Sequence, residues 1–280
     1  MKLLTLLLLL ICLSSCLGGT GGTTKISTGG AGPIAPGTPI RWSNATLAAP
    51  LDINTSTDFT NAFVAADLDG SGRHPIDQMS KLWNDAHTGY TFIKIPSDNV
   101  ANKAYANVSD FRDGEMGVYK SFTWFSNVSS SALAITQFFG FRRNVGTANE
   151  YIELNHADII VNYRDYDFST DSSSTSDYDL HSVILHEMGH LLGLSHNWND
   201  TSVMGPFLGI TQSNRSLYAA DVTTINNNYQ AGNPITAGGG GGFATFSPVP
   251  GEGDAVEGMF ELRADGKCHH TVNGVKVLVH

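Results

Sequence analysis

His186-Glu-Met-Gly-His190-Leu-Leu-Gly193-Leu-Ser-His196 decides how this chain is built. His186 and His190 lie four residues apart, so on a helix of 3.6 residues per turn they project from one face. Two neutral imidazoles on that face make two ligands of an open tetrahedral zinc site. Glu187 follows the first of them, where its carboxylate can reach a water at the metal. Gly193 lets the chain leave the helix, because glycine tolerates the positive φ that a C-terminal turn commonly demands. The turn can then return His196 as a third ligand, with the fourth position left to water. Asp179-Leu-His-Ser-Val-Ile-Leu185 supplies an acidic start and an apolar lead-in to the helix. His181 is a turn and a half upstream and off the ligand face, so it is a poor candidate to close the site as a structural one.

This motif resembles the metzincin signature of zinc peptidases. Ser202-Val-Met204-Gly-Pro206 resembles the Met-turn those enzymes carry beneath the zinc, and the short interval from His196 to Met204 is matrixin-like. Leu217 to Tyr229 resembles the closing matrixin helix, in which an Asp-hydrophobic pair precedes a terminal Tyr. Upstream, Arg41-Trp42 reads as a first strand and Gln78 to Ile95 as an amphipathic helix, a break at Gly89 and an alternating strand. Ser131 to Phe139 is expected to be the edge strand lining the cleft, and His156 to Tyr163 the next strand inward. The likeness spans about residues 39 to 230, with its specific part in the zinc motif and the Met-turn.

The resemblance implies an α/β (α+β) fold: a twisted, mostly parallel sheet, about three helices, and Met204 under the zinc. It implies one catalytic zinc on His186, His190 and His196, with Glu187 taking a proton from water and returning it to the leaving amine. Substrate would lie extended along the edge strand, bound mainly through its main chain. The wall of the specificity pocket would be the chain after Met204, including Pro206 and Phe207, and Ser182, one turn before His186, matches a position that sets pocket depth; a small residue there suggests an open, apolar pocket. Two departures stand out. Vertebrate matrixins hold a second, structural zinc ahead of the active-site helix, but Arg164 to Asp179 contains no His, so that site is expected to be missing. Asn197 stands where those proteins usually have Ser.

The amino terminus speaks to location. Met1-Lys2 precedes an apolar run from Leu3 to Leu13, shaped like a secretory signal and short for a membrane span. It ends in Leu13-Ser-Ser-Cys16, which resembles the lipobox of bacterial lipoproteins and implies cleavage before Cys16 and lipidation of that residue. An exported bacterial lipoprotein at the outer membrane or cell surface is the expectation, with release from the cell as a variant of it. Of the three cysteines only Cys268 would then remain free, so the fold would rest on its core and bound metal rather than on disulfides.

The expected organisation is a signal at residues 1–15, a Gly/Thr/Pro-rich tether at 16–38, a peptidase domain at 39–232, a Gly-rich linker at 233–248 and a short β-hairpin tail at 249–280. Asp265-Gly266 and Asn273-Gly274 are hairpin signals within that tail. The tail is too small for a core of its own, so it is expected either to pack on the catalytic domain or to stay mobile. The tether is too short for a folded prodomain and lacks a cysteine switch, leaving latency without an assigned device. Cys268-His269-His270 reads as a poor metal cluster, since neighbours on a strand face opposite ways.

With 26 acidic and 16 basic residues the chain carries −10, and it has no basic run outside its first residues, which speaks against nucleic acid as a partner. Calcium is the second ion the sequence allows: Asp67-Leu-Asp69-Gly-Ser71-Gly72 begins like an EF-hand loop, but Pro75 and Gln78 fall where later ligands belong. Asp165, Asp167, Asp171, Asp177 and Asp179 form another acidic loop; for both, a solvated polar loop is the simpler reading. The sequence therefore points to a monomeric, membrane-anchored zinc endopeptidase acting on protein or peptide substrates. The alternative is an idle surface lipoprotein, an adhesin or binding module on the same scaffold, against which the presence of Glu187 argues.

Overall fold

The computed structural model describes residues 34–35, 37–199, 201–230, 252–266 and 269–279. The signal, Cys16, most of the tether, the glycine linker and Cys268 lie outside the described residues. Among the described residues no helix is long and apolar enough to cross a membrane.

Two long strands form the spine: β6 (Ala132–Arg143) and β7 (Tyr151–Asn162), paired antiparallel. Both are buried along nearly their whole length, as expected of apolar, β-branched runs such as Ile159-Ile-Val covered on both faces. β7 also takes parallel partners, β1 (Ile40–Trp42) beside its first residues and β5 (Gly117–Ser121) beside its last, and β3 (Asn54–Thr55) lies parallel to β5. In the part of the sheet built from residues 40–162, only β6 runs against its neighbour. Two minor parallel pairs flank it: β2 (Leu51–Asp52) with β4 (Ile93–Lys94), and β8 (Phe168–Ser169) with β9 (Tyr178–Asp179).

The helices are a single turn, α1 (Thr57–Thr60), then α2 (Pro75–Asp85), α3 (Leu180–Leu191) and α4 (Ala219–Asn228). α2 opens with Pro75 in its first turn, where a missing N–H costs nothing, and His74 Nδ1 accepts from the Asp77 N–H. Every residue of α3 is buried. A helix so enclosed must have its ends satisfied from within the protein. Asp179 caps the start, accepting from the Ser182 N–H at 3.0 Å. At the far end the indole of Trp42 donates to Leu191 O (2.8 Å) and the Tyr229 hydroxyl to Leu192 O (2.8 Å). The indole of Trp83, on α2, donates to Leu185 O at 2.9 Å. The main core lies between α2, α3 and one face of the sheet; a smaller cluster around Phe111, Tyr119, Phe125 and Ile160 covers the other face.

The tail contributes three more strands: β10 (Ala255–Arg263), β11 (His269–Val272) and β12 (Val275–Val279). The sheet order is β12-β11-β10-β6-β7-β5-β3, with β1 branching from β7. The Asn273-Gly274 hairpin forms where the sequence signals it, both residues having positive φ (49° and 73°). β10 is antiparallel to β6 along the strand that the sequence reads as the open edge of the cleft. The acidic segment at Asp67 does not gather its carboxylates: Asp67 accepts from the Val64 N–H and the Thr170 hydroxyl, and Asp69 from the Ser71 and Arg73 N–H groups.

Candidate metal centre and cleft

α3 carries His186 and His190 one turn apart, with ring centroids 4.5 Å from each other. Gly193 then adopts φ +82°, and a Cβ there would lie 2.1 Å from the Ile40 carbonyl oxygen, so the turn after α3 requires glycine both for its dihedral and for its space. That turn brings the His196 ring 4.5 Å from His190 and 5.3 Å from His186. One ligating atom from each ring falls within 4.8 Å of the others.

The remaining nitrogens show which atoms face inward. His186 Nδ1 lies 2.8 Å from Val203 O and His190 Nδ1 2.7 Å from Leu194 O. A carbonyl can only accept, so both Nδ1 atoms carry the proton and both Nε2 atoms keep a lone pair. His186 Nε2 is buried without a hydrogen-bond partner, and His190 Nε2 is 3.1 Å from His196 Nε2. That spacing suits two ligands about 2.0–2.1 Å from one tetrahedral zinc. Burial drives His186 down to about 4, and burial plus the neighbouring imidazoles drives His190 and His196 well below their ordinary value, so all three are neutral donors. An orphaned nitrogen and three neutral imidazoles aimed at one point fit a zinc ion.

Glu187 is fully buried beside them. The Thr136 hydroxyl, from β6, lies 2.5 Å from Glu187 Oε2 and 3.0 Å from its backbone oxygen; having one proton, it donates to the nearer carboxylate atom. Oε1 has no partner of hydrogen-bond geometry. Burial pushes the carboxyl up to about 8; the Thr136 hydroxyl and the Leu262 N–H pull it down, and Glu261 pushes it further up.

Met204 is buried against α3, where Gly189 leaves room for its sulfur. The turn that holds it is pinned by Asp221 of α4, which accepts from the Ser202 hydroxyl, the Val203 N–H (3.0 Å) and the Tyr218 N–H (2.9 Å). Next to the imidazoles is a cavity of about 400 Å³ whose walls include Ser182, His186, Pro206, Phe207 and Leu262. Thus Ser182, Pro206 and Phe207 do share one cavity. The Ser182 hydroxyl itself is engaged, donating to Asp179 Oδ2 (2.5 Å) and accepting from the Asn214 N–H (2.6 Å), while Arg215 pairs with the same aspartate.

The residues that sequence reasoning missed are Thr136, Phe260 and Leu262. Thr136 looks like any β-branched strand residue until the register sets it opposite the helix. Phe260 stacks on His190 with ring centroids 4.2 Å apart and 4° between planes, and His270 stacks on the other side of Phe260 at 4.1 Å. Leu262 lines the cavity from the tail.

Residues 125–230 match the family model described as Matrixin, a segment that contains the three imidazoles, Glu187, the Met-turn and α4. No curated protein matches the chain. Over the matched segment the resemblance read from the zinc motif holds, and a zinc metallopeptidase-type function goes with it.

Proposed function

We propose that the protein is a zinc-dependent endopeptidase that cuts extended protein or peptide chains, with His186, His190 and His196 holding the ion and Glu187 moving the proton. The observation that carries this reading is the convergence of three neutral imidazoles on one point next to a buried carboxylate. Held by these three imidazoles, a zinc ion would supply polarisation of the scissile carbonyl and a water nucleophilic near neutral pH. The chain's own groups do the rest. The two backbone carbonyls of Val203 and Leu194 fix the His186 and His190 rings and their tautomers, and Thr136 fixes one carboxylate oxygen of Glu187, leaving Oε1 without a hydrogen-bond partner and available to a water. Burial strengthens the proton affinity of Glu187, which suits a group that must take a proton from water and then deliver it to the departing amine. Leu208 N–H and Pro206 O, which here bond the Arg263 backbone, are the main-chain groups an extended peptide would use in its place.

Lipidation at Cys16 and attachment at the outer membrane or cell surface belong to the same proposal and rest on the Leu13-Ser-Ser-Cys16 motif. Cys16→Ser should move the protein from the membrane to the soluble fraction; persistence at the membrane would refute that part. The peptidase reading is tested by digesting a protein mixture with the chain, with the chain plus a zinc chelator, and with Glu187→Ala. Cleavage that survives chelation or the Glu187 substitution would refute it. An idle binding module would give no cleavage in any arm, nor with Leu262→Asp added as a fourth.

A further inference from the structure

We infer that β10 is a built-in peptide ligand of the cleft, bound along the path of a substrate and excluding external peptides until it leaves. The inference rests on the peptidase reading for the meaning of the cleft, but the occupancy itself is geometric. β10 is held on both sides. Along β6 it forms an antiparallel ladder in which Phe260 is opposite Thr136, Glu261 opposite Ile135 and Leu262 opposite Ala134. On the other side it runs parallel to the segment after the Met-turn, with Arg263 N–H donating to Pro206 O (3.2 Å) and Leu208 N–H donating to Arg263 O (3.4 Å). An incoming peptide could use neither edge while these bonds stand.

The side chains follow the same logic. Leu262 lines the cavity together with Ser182, His186 and Pro206 and is 1% exposed. Phe260 covers the His190 ring and is fully buried. Phe260 is paired with Thr136, whose hydroxyl bonds Glu187 Oε2, so the strand runs past the residue that holds the proposed proton carrier. Charges that would otherwise be stranded are neutralised within the strand: Arg263 pairs with Glu261 at 3.1 Å and with Asp265 at 2.9 Å. At Gly258 the strand passes so close to Phe138 that an added Cβ would lie 2.1 Å from its ring. A strand whose sole task was to cover a sheet edge would need none of the contacts made by Leu262 and Phe260. Those contacts would keep the cleft latent until the strand is displaced.

The test measures binding, with no turnover required. A fluorescein-labelled peptide copying Ala255 to Asp265 is titrated into zinc-loaded, full-length Glu187→Ala protein. It is titrated in parallel into the same protein carrying Leu262→Asp with Gly258→Val, and into one carrying only the milder Phe260→Ala. Burying an aspartate in the cavity and forcing a branched side chain against Phe138 should release the tail. The released protein should bind the peptide at least tenfold more tightly than the parent, with Phe260→Ala in between. Equal binding by the parent and by whichever variants remain folded and zinc-loaded would overturn the inference. Zinc content, measured on each sample, separates this from failure of the peptidase reading: a chain with no zinc on its three imidazoles sinks that reading, while the comparison of peptide affinities still decides whether the tail blocks the cleft.

Discussion

Two segments meet over the imidazoles, and they are held there by different forces. α3 is fixed by side chains and by the core. Asp179 caps it, three aromatic donors from Trp42, Trp83 and Tyr229 satisfy its carbonyls, and all its residues are buried. β10 reaches the same place through a main-chain ladder on β6, a second pair of bonds to Pro206 and Leu208, and two anchoring side chains, Phe260 and Leu262. Breaking the first set would leave buried polar groups without partners, whereas every main-chain bond of the second could be replaced by a like bond to another peptide. The difference teaches that α3 is a permanent part of the site and β10 an exchangeable one.

Substitutions can separate the two roles. The largest effects should come from α3. His190→Ala should abolish both zinc binding, followed by metal analysis, and peptide hydrolysis. Glu187→Ala should retain zinc but lose activity by roughly 10²–10⁴-fold or more, as expected for loss of a general acid–base. If Glu187→Ala retained full activity, the proton would have to travel by another group and the contrast between the segments would lose its chemical half.

The tail should act in the opposite direction. Leu262→Asp in the otherwise unsubstituted enzyme should raise the initial rate on a small peptide by about tenfold or more, since each ~1.4 kcal/mol taken from the docked tail is a factor of ten in its occupancy. An unchanged rate in folded, zinc-loaded protein would mean that α3 and β10 are equally permanent.

Backbone and cap changes refine the comparison at smaller cost. Gly193→Ala combines a positive φ with a Cβ pressed on the Ile40 carbonyl, so chemical denaturation should show a loss of about 2 kcal/mol or more, together with weaker zinc binding through the displaced His196. Ser182→Ala removes a hydroxyl that bonds Asp179 and the Asn214 N–H; it should cost about 1 kcal/mol in the same measurement and leave zinc stoichiometry unchanged. A Ser182→Ala protein with altered zinc content would show that the cavity wall and the metal centre are coupled.

Much of the site was legible because its information is local. The spacing of His186, Glu187, His190, Gly193 and His196 is a statement about one helix and one turn, and the structure keeps both. Strand β1 and helix α2 fall where their patterns place them, as do the inward strand β7 and the Asn273-Gly274 hairpin. The segment after Gly89 is less regular than its alternation suggests, forming only the two-residue strand Ile93–Lys94, because Asn84 binds the Phe92 and Ile93 N–H groups in place of a longer ladder. Thr136 could not be singled out, since its role depends on the register that carries β6 past α3.

By itself, then, the sequence determined the imidazole cluster, the carboxylate that follows its first member, the turn that returns His196 and the strand-forming character of the tail. Each follows from periodicity, dihedral preference or donor chemistry within a few residues. Only the tertiary structure decided that the cleft edge is filled by a strand of the chain's own tail, that Phe260 stacks on a metal-facing imidazole and that Leu262 lines the cavity. Strand pairing is made through main-chain groups that every residue possesses, so nothing in the letters of β10 or β6 names the other as its partner.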